Sequence, residues 1–431
     1  MRYEKYKNID LPWLKEIPEH WEIYKAKILS SSIKILNKNN VEKNILSLTL
    51  KGVIRNDKEK PIGLSPSDYS TYQIFEKDDL VFKLIDLNNV RTSRIGIVHE
   101  RGIMSSAYIR VTCNKEIFYP KYAYYWYTKL YVEEVYNKLG SGVRETIAKD
   151  ELLQYHVPLP PLAEQEQIAK FLDWKIAEID ELIRIEKKKI KLLNDFNFHI
   201  IYNSINEISE YQLIPLKRIC TVIPGKEVTK EVISTNEGSI RVFGSGDKVF
   251  KYTDRTMLSG EHIIFGRKGT IGKPYIVDGG FWIVDTAYAM INNVNSDFKY
   301  LYYLMTIFPW DDYSTNTVKP SIVATQVLSE KVKVPIISIQ KEVANNIDKL
   351  LFRNETQISL LADSIEMLQS LKQSLISEVV TGKIDVRNIE IPELNNSIVK
   401  FEYEDFDDED VENGEFDDED LEDEYFDEED E

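Results

Sequence analysis

Residues 157–173 read VPLPPLAEQEQIAKFLD, and 175 positions later residues 332–348 read VKVPIISIQKEVANNID. Without gaps, this register sets Pro160 over Pro335, Gln165 over Gln340, Ala169 over Ala344 and Asp173 over Asp348. Upstream it pairs Val143 with Val318, Arg144 with Lys319, Ile147 with Ile322 and Leu153 with Leu328. Farther upstream the offset drifts. Tyr122-Ala-Tyr-Tyr125 resembles Tyr300-Leu-Tyr-Tyr303, Ala107-Tyr108 resembles Ala287-Tyr288, and Asp79-Leu-Val-Phe82 resembles His262-Ile-Ile-Phe265. The chain reads as a tandem duplication of roughly 175–190 residues.

Each copy ends in a long helical pattern. Ala169, Leu172, Ile176, Ile179, Ile183, Ile190, Leu193 and Ile200 follow the alternating three–four spacing of a coiled-coil seam. Ala344, Ile347, Leu351, Ile358, Leu361, Ile365, Leu368, Leu375 and Val379 do so in the second copy. Glu186, Asn197, Asn354 and Lys372 interrupt the seam, where a polar residue can fix register. Two separate amphipathic helices, each lying on its own domain, would show the same pattern. Against that stands length, since a helix over 163–205, about 43 residues, spans roughly 65 Å and projects beyond a small domain. The proline segments Val157-Pro-Leu-Pro-Pro161 and Val334-Pro335 precede the helices, and Gly382 follows the second.

The segments ahead of the helices carry short β-rich runs: Leu80–Leu84, Ile95–His99, Tyr108–Thr112, His262–Phe265 and Tyr275–Val277. Each also has one aromatic helix candidate, Lys121–Leu139 or Phe298–Phe308. The expected fold is α/β (α+β), with two pseudo-symmetric modules and two long coiled-coil helices. The expected order is a first module at 1–157, a central helical region at 158–208 and a second module at 209–333. A second helical region at 334–386 and an acidic disordered tail at 387–431 complete it.

The 431 residues carry 54 Lys and Arg against 72 Asp and Glu, a net −18, which at first sight argues against nucleic acid. Position reverses that inference. Residues 401–431 hold 21 acids and no base, so the remaining 51 acids face all 54 bases, a net of +3. The tail repeats Phe406-Asp-Asp-Glu-Asp, Phe416-Asp-Asp-Glu-Asp and Phe426-Asp-Glu-Glu-Asp every ten residues, a self-repelling composition. It reads as a solubilising extension, a competitor of DNA for basic surface, or a partner-docking segment. Two cysteines without CxxC spacing suit a reducing compartment. No signal-peptide core or 18-residue apolar run is present, so a cytoplasmic location is expected.

Catalytic strings fail on inspection. In Phe265-Gly-Arg-Lys-Gly-Thr-Ile-Gly-Lys-Pro274, five residues separate Gly266 from Gly272, and Pro274 stands where a phosphate-binding loop needs a hydroxyl. Phe243-Gly-Ser-Gly246 hints at a methyltransferase cofactor loop but lacks its catalytic tetrapeptide partner, and is read as a turn. The five scattered histidines offer no metal-ligand spacing, so no metal is expected. Basic side chains do cluster. Lys83, Arg91, Arg94, Arg101 and Arg110 lie in the first module, and Arg241, Lys248, Lys251, Arg255, Arg267, Lys268 and Lys273 in the second. Gly140-Ser141-Gly-Val-Arg144 and Asn316-Thr-Val-Lys319 occupy corresponding places before the helices, where small residues beside one cation suit a phosphate. The DNA-contact candidates are thus Lys83, Arg91, Arg94, Ser141, Arg144, Arg241, Lys248, Arg267, Lys268, Lys273, Asn316 and Lys319. Each could equally be a solvated surface residue.

Trp13 with Ile17-Pro-Glu-His-Trp21, Pro160-Pro-Leu-Ala-Glu-Gln-Glu-Gln-Ile-Ala169, Gly269-Thr-Ile-Gly272, Pro335–Ala344 and Leu375-Ile-Ser-Glu-Val-Val-Thr-Gly-Lys383 stand in this order. Over residues 12–386 the chain resembles the specificity subunit of Type I restriction–modification systems. The resemblance implies that each module is a target-recognition domain reading half of a bipartite, asymmetric DNA site, while the two helices pair antiparallel as a spacer that sets the gap between halves. It further implies two methylation subunits, which bring S-adenosylmethionine and adenine-N6 transfer, and two restriction subunits, which bring ATP, Mg and cleavage. This chain would then be non-catalytic and hold no cofactor. The acidic tail is not part of the family's pattern. Two other readings are the specificity component of a related bifunctional restriction–modification enzyme, and a coiled-coil protein-binding scaffold.

Overall fold

The computed structural model describes residues 2–49, 52–56, 68–85, 87, 94–136, 146–228, 239–249, 251–315 and 320–392. Arg91, Ser141, Arg144, Asn316, Lys319 and the acidic repeats lie outside these residues. The chain divides into two compact units, residues 1–184 with 366–431, and residues 185–365. The division falls inside both long helices, because each half-helix shares a core with one module. In the first unit Ile168, Phe171, Leu172, Ile376, Val379 and Val380 join the module's core. In the second, Ile201, Ile205, Ala344, Ile347 and Leu351 do so.

In the first unit a four-stranded antiparallel sheet runs Ser30–Ser31, Ile109–Cys113, Leu80–Phe82, Ile95–Ile97. Its strands Leu80–Phe82 and Ile95–Ile97 are apolar throughout because both faces are covered. Leu80 and Phe82 point into the larger core beside the aromatic helix Pro120–Val132, whereas Val81 enters a second cluster with Leu46, Phe75 and Met104. A separate strand pair, Glu22–Lys25 with His156–Leu159, leads into the long helix Leu162–Asn206. At that helix's first turn the buried Glu164 accepts from Tyr3 Oη at 2.6 Å and Trp21 Nε1 at 2.9 Å, with His20 Nε2 2.9 Å away. Two of the motifs quoted above thus meet at one carboxylate. Gly382 belongs to a third: its φ is +72°, a Cβ there would lie 2.4 Å from Pro18, and its carbonyl accepts from Tyr6 Oη.

The second unit repeats this plan. Its sheet runs Cys220–Pro224, Ala287–Asn292, His262–Gly266, Tyr275–Val277, the same order of strands along the chain and the same antiparallel pairing. Ile263 and Phe265 face the core beside helix Phe298–Thr306, and Ile264 faces the opposite cluster with Phe243 and Phe281. Strand Gln212–Pro215 pairs with Lys331–Val334 ahead of the second long helix, Ile337–Val380. One pairing read from sequence slips. Phe82 stands opposite Ile109 and Phe265 opposite Tyr288, so Ile109 rather than Tyr108 is the counterpart of Tyr288. A one-residue shift exchanges the two faces of a strand, and only this register keeps them in place.

The duplication extends to individual hydrogen bonds. Gln165, fully buried, accepts from Tyr119 N at 2.8 Å and donates to the carbonyls of Ile117 and Pro160 at 2.9 and 2.8 Å. Gln340 does the same with Asp297 N and the carbonyls of Asn295 and Pro335, at 2.8, 3.3 and 2.8 Å. Asp173 takes Lys121 Nζ at 2.5 Å and Tyr125 Oη at 2.8 Å, and Asp348 takes Lys299 and Tyr303. Burial first, then the charge of Asp173, raises Tyr125 well above the ordinary tyrosine range, so it remains a donor.

Along both helices the seam positions are the sheltered ones, while Leu182, Leu192, Leu350, Phe352, Leu360, Met367 and Leu371 are exposed. In the second unit Asn354 Nδ2 donates to Asn197 Oδ1 at 2.7 Å, and Ser364 Oγ donates to Glu186 Oε1 at 3.0 Å. As the number rises on one helix it falls on the other, so the half-helices pair antiparallel. In the first unit Lys372 Nζ grips both oxygens of Asp180 at 2.7 and 2.8 Å. All four polar interruptions are therefore partnered across the seam, which distinguishes a pair from two independent amphipathic helices. Replacing Asn354 by Leu strands the amide of Asn197 and is expected to cost about 1–3 kcal/mol, whereas Asn197→Leu with Asn354→Leu recovers most of it. Thermal unfolding of the full chain measures both; a double variant no more stable than the single would refute the coupling.

Candidate nucleic-acid interface

The sheet strand His262–Gly266 ends in a turn pinned from two sides. Arg267 N and Lys268 N both donate to Thr286 O, at 2.7 and 3.3 Å. On the other side Ile322 N donates to Arg267 O at 3.0 Å, Gly269 N donates to Pro320 O at 3.1 Å, and Lys268 bridges to Ser321. Gly266 permits the bend, since a Cβ there would sit 1.7 Å from Thr270 O. Ser245 packs against the same glycine, and Tyr275 Oη fastens the neighbouring Gly244 carbonyl at 2.8 Å. The Gly-Ser-Gly stretch that hinted at a cofactor loop therefore buttresses this turn. Three segments far apart in sequence, 243–246, 266–270 and 320–322, converge on one edge.

Arg267 and Lys268 project from that edge. Arg267 is half-buried, its guanidinium 5.6 Å from the centre of the Tyr288 ring and its Nη1 3.4 Å from Asp285 O. Lys268 is exposed, with Nζ 3.8 Å from Asp285 Oδ2. Lys273 and Lys248 are exposed, Lys273 on the strand-to-strand connection that begins with this turn and Lys248 just beyond the Ser245 buttress. Arg241 belongs elsewhere. Its Nη2 donates to Asp278 O at 2.5 Å, and Asp278 follows Val277 at the His262 end of the strand, opposite the turn.

The first unit builds the same edge with different side chains. Ile147 N donates to Leu84 O at 3.0 Å, the counterpart of the Ile322–Arg267 bond. Lys83 stands at the end of the strand, half-buried, and its amide donates to Arg94 O at 3.1 Å. Arg94 itself needs correction as a DNA contact. It is buried, and its Nη1 donates to Ile85 O at 2.8 Å and Lys83 O at 3.4 Å, which ties down the turn from inside. Arg110 is also buried, against Asp79, and Arg101 is held by Glu42 and Glu76. A basic run in sequence does not distinguish cations that face solvent from cations that hold loops.

Sequence reasoning missed Gln165, Gln340, the Lys121–Tyr125–Asp173 and Lys299–Tyr303–Asp348 clusters, and Asp285. The glutamines and aspartates were visible as matched pairs of the repeat; Asp285 has no such signal. Both cysteines are buried, and burial pushes each thiol up to about 12, which leaves them protonated and unreactive. Among the described residues no helix is long and apolar enough to cross a membrane.

Comparison with known proteins agrees with this architecture. The chain is 24% identical to the Type I restriction enzyme MjaVIII specificity subunit of Methanocaldococcus jannaschii, over 67% of this chain and 76% of that one. It is 22% identical to the putative type I restriction enzyme MjaX specificity subunit of the same organism, over 90% and 99%. A solved structure described as the structural basis of complex assembly and conformational transition of the type I R-M system superposes with a TM-score of 0.58. The alignment has 12% identity and covers 85% of this chain and 99% of that chain, a likeness of fold. A family model, the Type I restriction modification DNA specificity domain, matches residues 18–195 and again residues 208–362. Two copies of one domain, each built round the same glutamine and aspartate anchors, make the chain a member of the Type I restriction modification DNA specificity family.

Proposed function

We propose that this DNA-specificity subunit reads a bipartite, asymmetric site, one half with each module, and that its paired helices set the unread gap. The observation that carries this is a repeated frame with unrepeated edges. Gln165 and Gln340, and Asp173 and Asp348, hold their modules by the same bonds, yet at the matching turns the second copy projects Arg267 where the first buries Leu84 in its core and carries the half-buried Lys83 beside it. One frame positions both edges alike on the duplex, and different side chains then select different bases.

On this reading the chain chooses the site, and two methylation subunits supply S-adenosylmethionine and adenine transfer. Two restriction subunits supply ATP- and Mg-dependent cleavage, all in the cytoplasm. Exposed Leu350 and Leu360 in the second unit, and exposed Met367 and Leu371 in the first, suit the methylation subunits, since an isolated helix pair has no cause to keep such side chains in water. A related bifunctional enzyme would use the same modules with a fused partner, and a pure scaffold would show no sequence preference. The test exchanges residues 211–333 for the module of another family member and maps methylated adenines in cells that supply the methylation subunit. One half-site should change while the other half and the gap persist. Changes in both halves, or in neither, would refute modular reading.

A further inference from the structure

The edge of the second module carries a carboxylate where a phosphate-binding surface would not keep one. Asp285 lies in the turn between strand Gly280–Ile283 and strand Ala287–Asn292. That turn is tied to the basic turn by three contacts: Thr286 O accepts both Arg267 N and Lys268 N, and Asp285 O accepts from Arg267 Nη1. Its geometry is therefore set before any ligand arrives. The Asp285 carboxylate projects beside Lys268, with 50% of the side chain exposed against 52% for Lys268, and the two heads 3.8 Å apart.

A pair this open and this long holds its partners weakly, so Lys268 can leave for a phosphate when DNA approaches. Asp285 would then face the polyanion uncompensated, which disfavours binding unless a donor on the DNA replaces the lysine. Among base edges in the major groove, the donors are the amino groups of cytosine and adenine, and a carboxylate, which only accepts, matches cytosine N4. We propose that Asp285 is a base-reading residue of the second module that accepts from the N4 amino group of a cytosine, with Lys268 as its counter-ion in the free protein. This rests on the reading that the module binds DNA through this edge. It makes the ion pair a discriminator: a sequence without cytosine at that position leaves the carboxylate unpaired against the duplex.

The test uses the full chain with its methylation subunits, methylated-adenine mapping, and competition by duplexes randomised in the second module's half-site. Asp285→Ala should relax one position of that half-site, with discrimination there falling about 10- to 100-fold and the other half-site intact. Asp285→Asn keeps the size of the side chain and should move the preferred base at that position from cytosine to adenine, which an amide reads bidentately. Unchanged preferences in both variants would overturn the assignment. So would a uniform rise in affinity for all duplexes, which would make Asp285 only a repellent neighbour of Lys268. Loss of all methylation by variants that melt like the wild type would also overturn it, since the carboxylate would then hold the complex rather than read a base. The exchange of residues 211–333 separates the levels. If the exchange fails, modular reading fails; if it succeeds and no position relaxes, only the role of Asp285 falls.

Discussion

One heptad inserted into each long helix, near Asn194–Phe198 in the first and at the facing residues 353–357 in the second, should lengthen the unread gap by about three base pairs, with both half-sites unchanged. Seven helical residues rise about 10.5 Å, and B-form DNA advances about 3.4 Å per base pair. The paired insertion follows from the seam. Asn197 faces Asn354 and Glu186 faces Ser364, so seven residues added to one helix alone would set the leucines of one against the wrong layer of the other. A whole heptad also preserves the phase of Ile190, Leu193 and Ile200, which a four-residue insertion would turn partly into solvent. Methylated-adenine mapping gives the answer directly. An unchanged gap would show that the modules, not the helices, fix the spacing.

The helices were legible because their signal is periodic and local. Alternating three–four spacing from Ala169 to Ile200 and from Ala344 to Val379 coincides with the sheltered positions, and the ends at 162 and 206 fall within a residue of the expected ones. The strands at 80–82, 95–97, 109–113, 262–266 and 275–277 were legible as β-rich runs, whereas Ser30–Ser31, Cys220–Pro224 and Ala287–Asn292 were not, and neither was the pairing: the counterpart of Tyr288 is Ile109, because loops of unequal length between the strands shift the offset. The interface was legible only in part. Arg267 and Lys268 stand at a turn that their glycines announce, but Arg94 and Arg110 look identical to them in sequence and are spent on internal carbonyls and a carboxylate. What separates the two classes is burial, a property of chain segments tens of residues away. Asp285 was invisible for the same reason, since its neighbour Lys268 lies seventeen positions upstream across two strands.

Arg110→Met should destabilise the first unit by about 3–5 kcal/mol, because it leaves a charge inside the protein without its partner. Asp79 and Arg110 are 2% and 7% exposed, and Arg110 Nε meets Asp79 Oδ2 at 2.5 Å. Glu76 N and Thr112 Oγ1 donate to the same carboxylate at 2.7 and 2.6 Å, bonds that cannot neutralise it. For a unit of this size the loss corresponds to roughly 10 °C in Tm, readable by calorimetry on the full chain. The second unit shows that the fold does not require the pair. At the matching sheet positions it has Ala289 in place of Arg110 and His262 in place of Asp79, with Ile264 opposite Ala289 where Val81 stands opposite Arg110. Removing both charges, as in Asp79→Leu with Arg110→Met, should therefore restore most of the stability lost by the single change. If the double variant is as unstable as Arg110→Met, the backbone N–H of Glu76 and the hydroxyl of Thr112 depend on that carboxylate, and the pair supports the first module in a way its duplicate does not need.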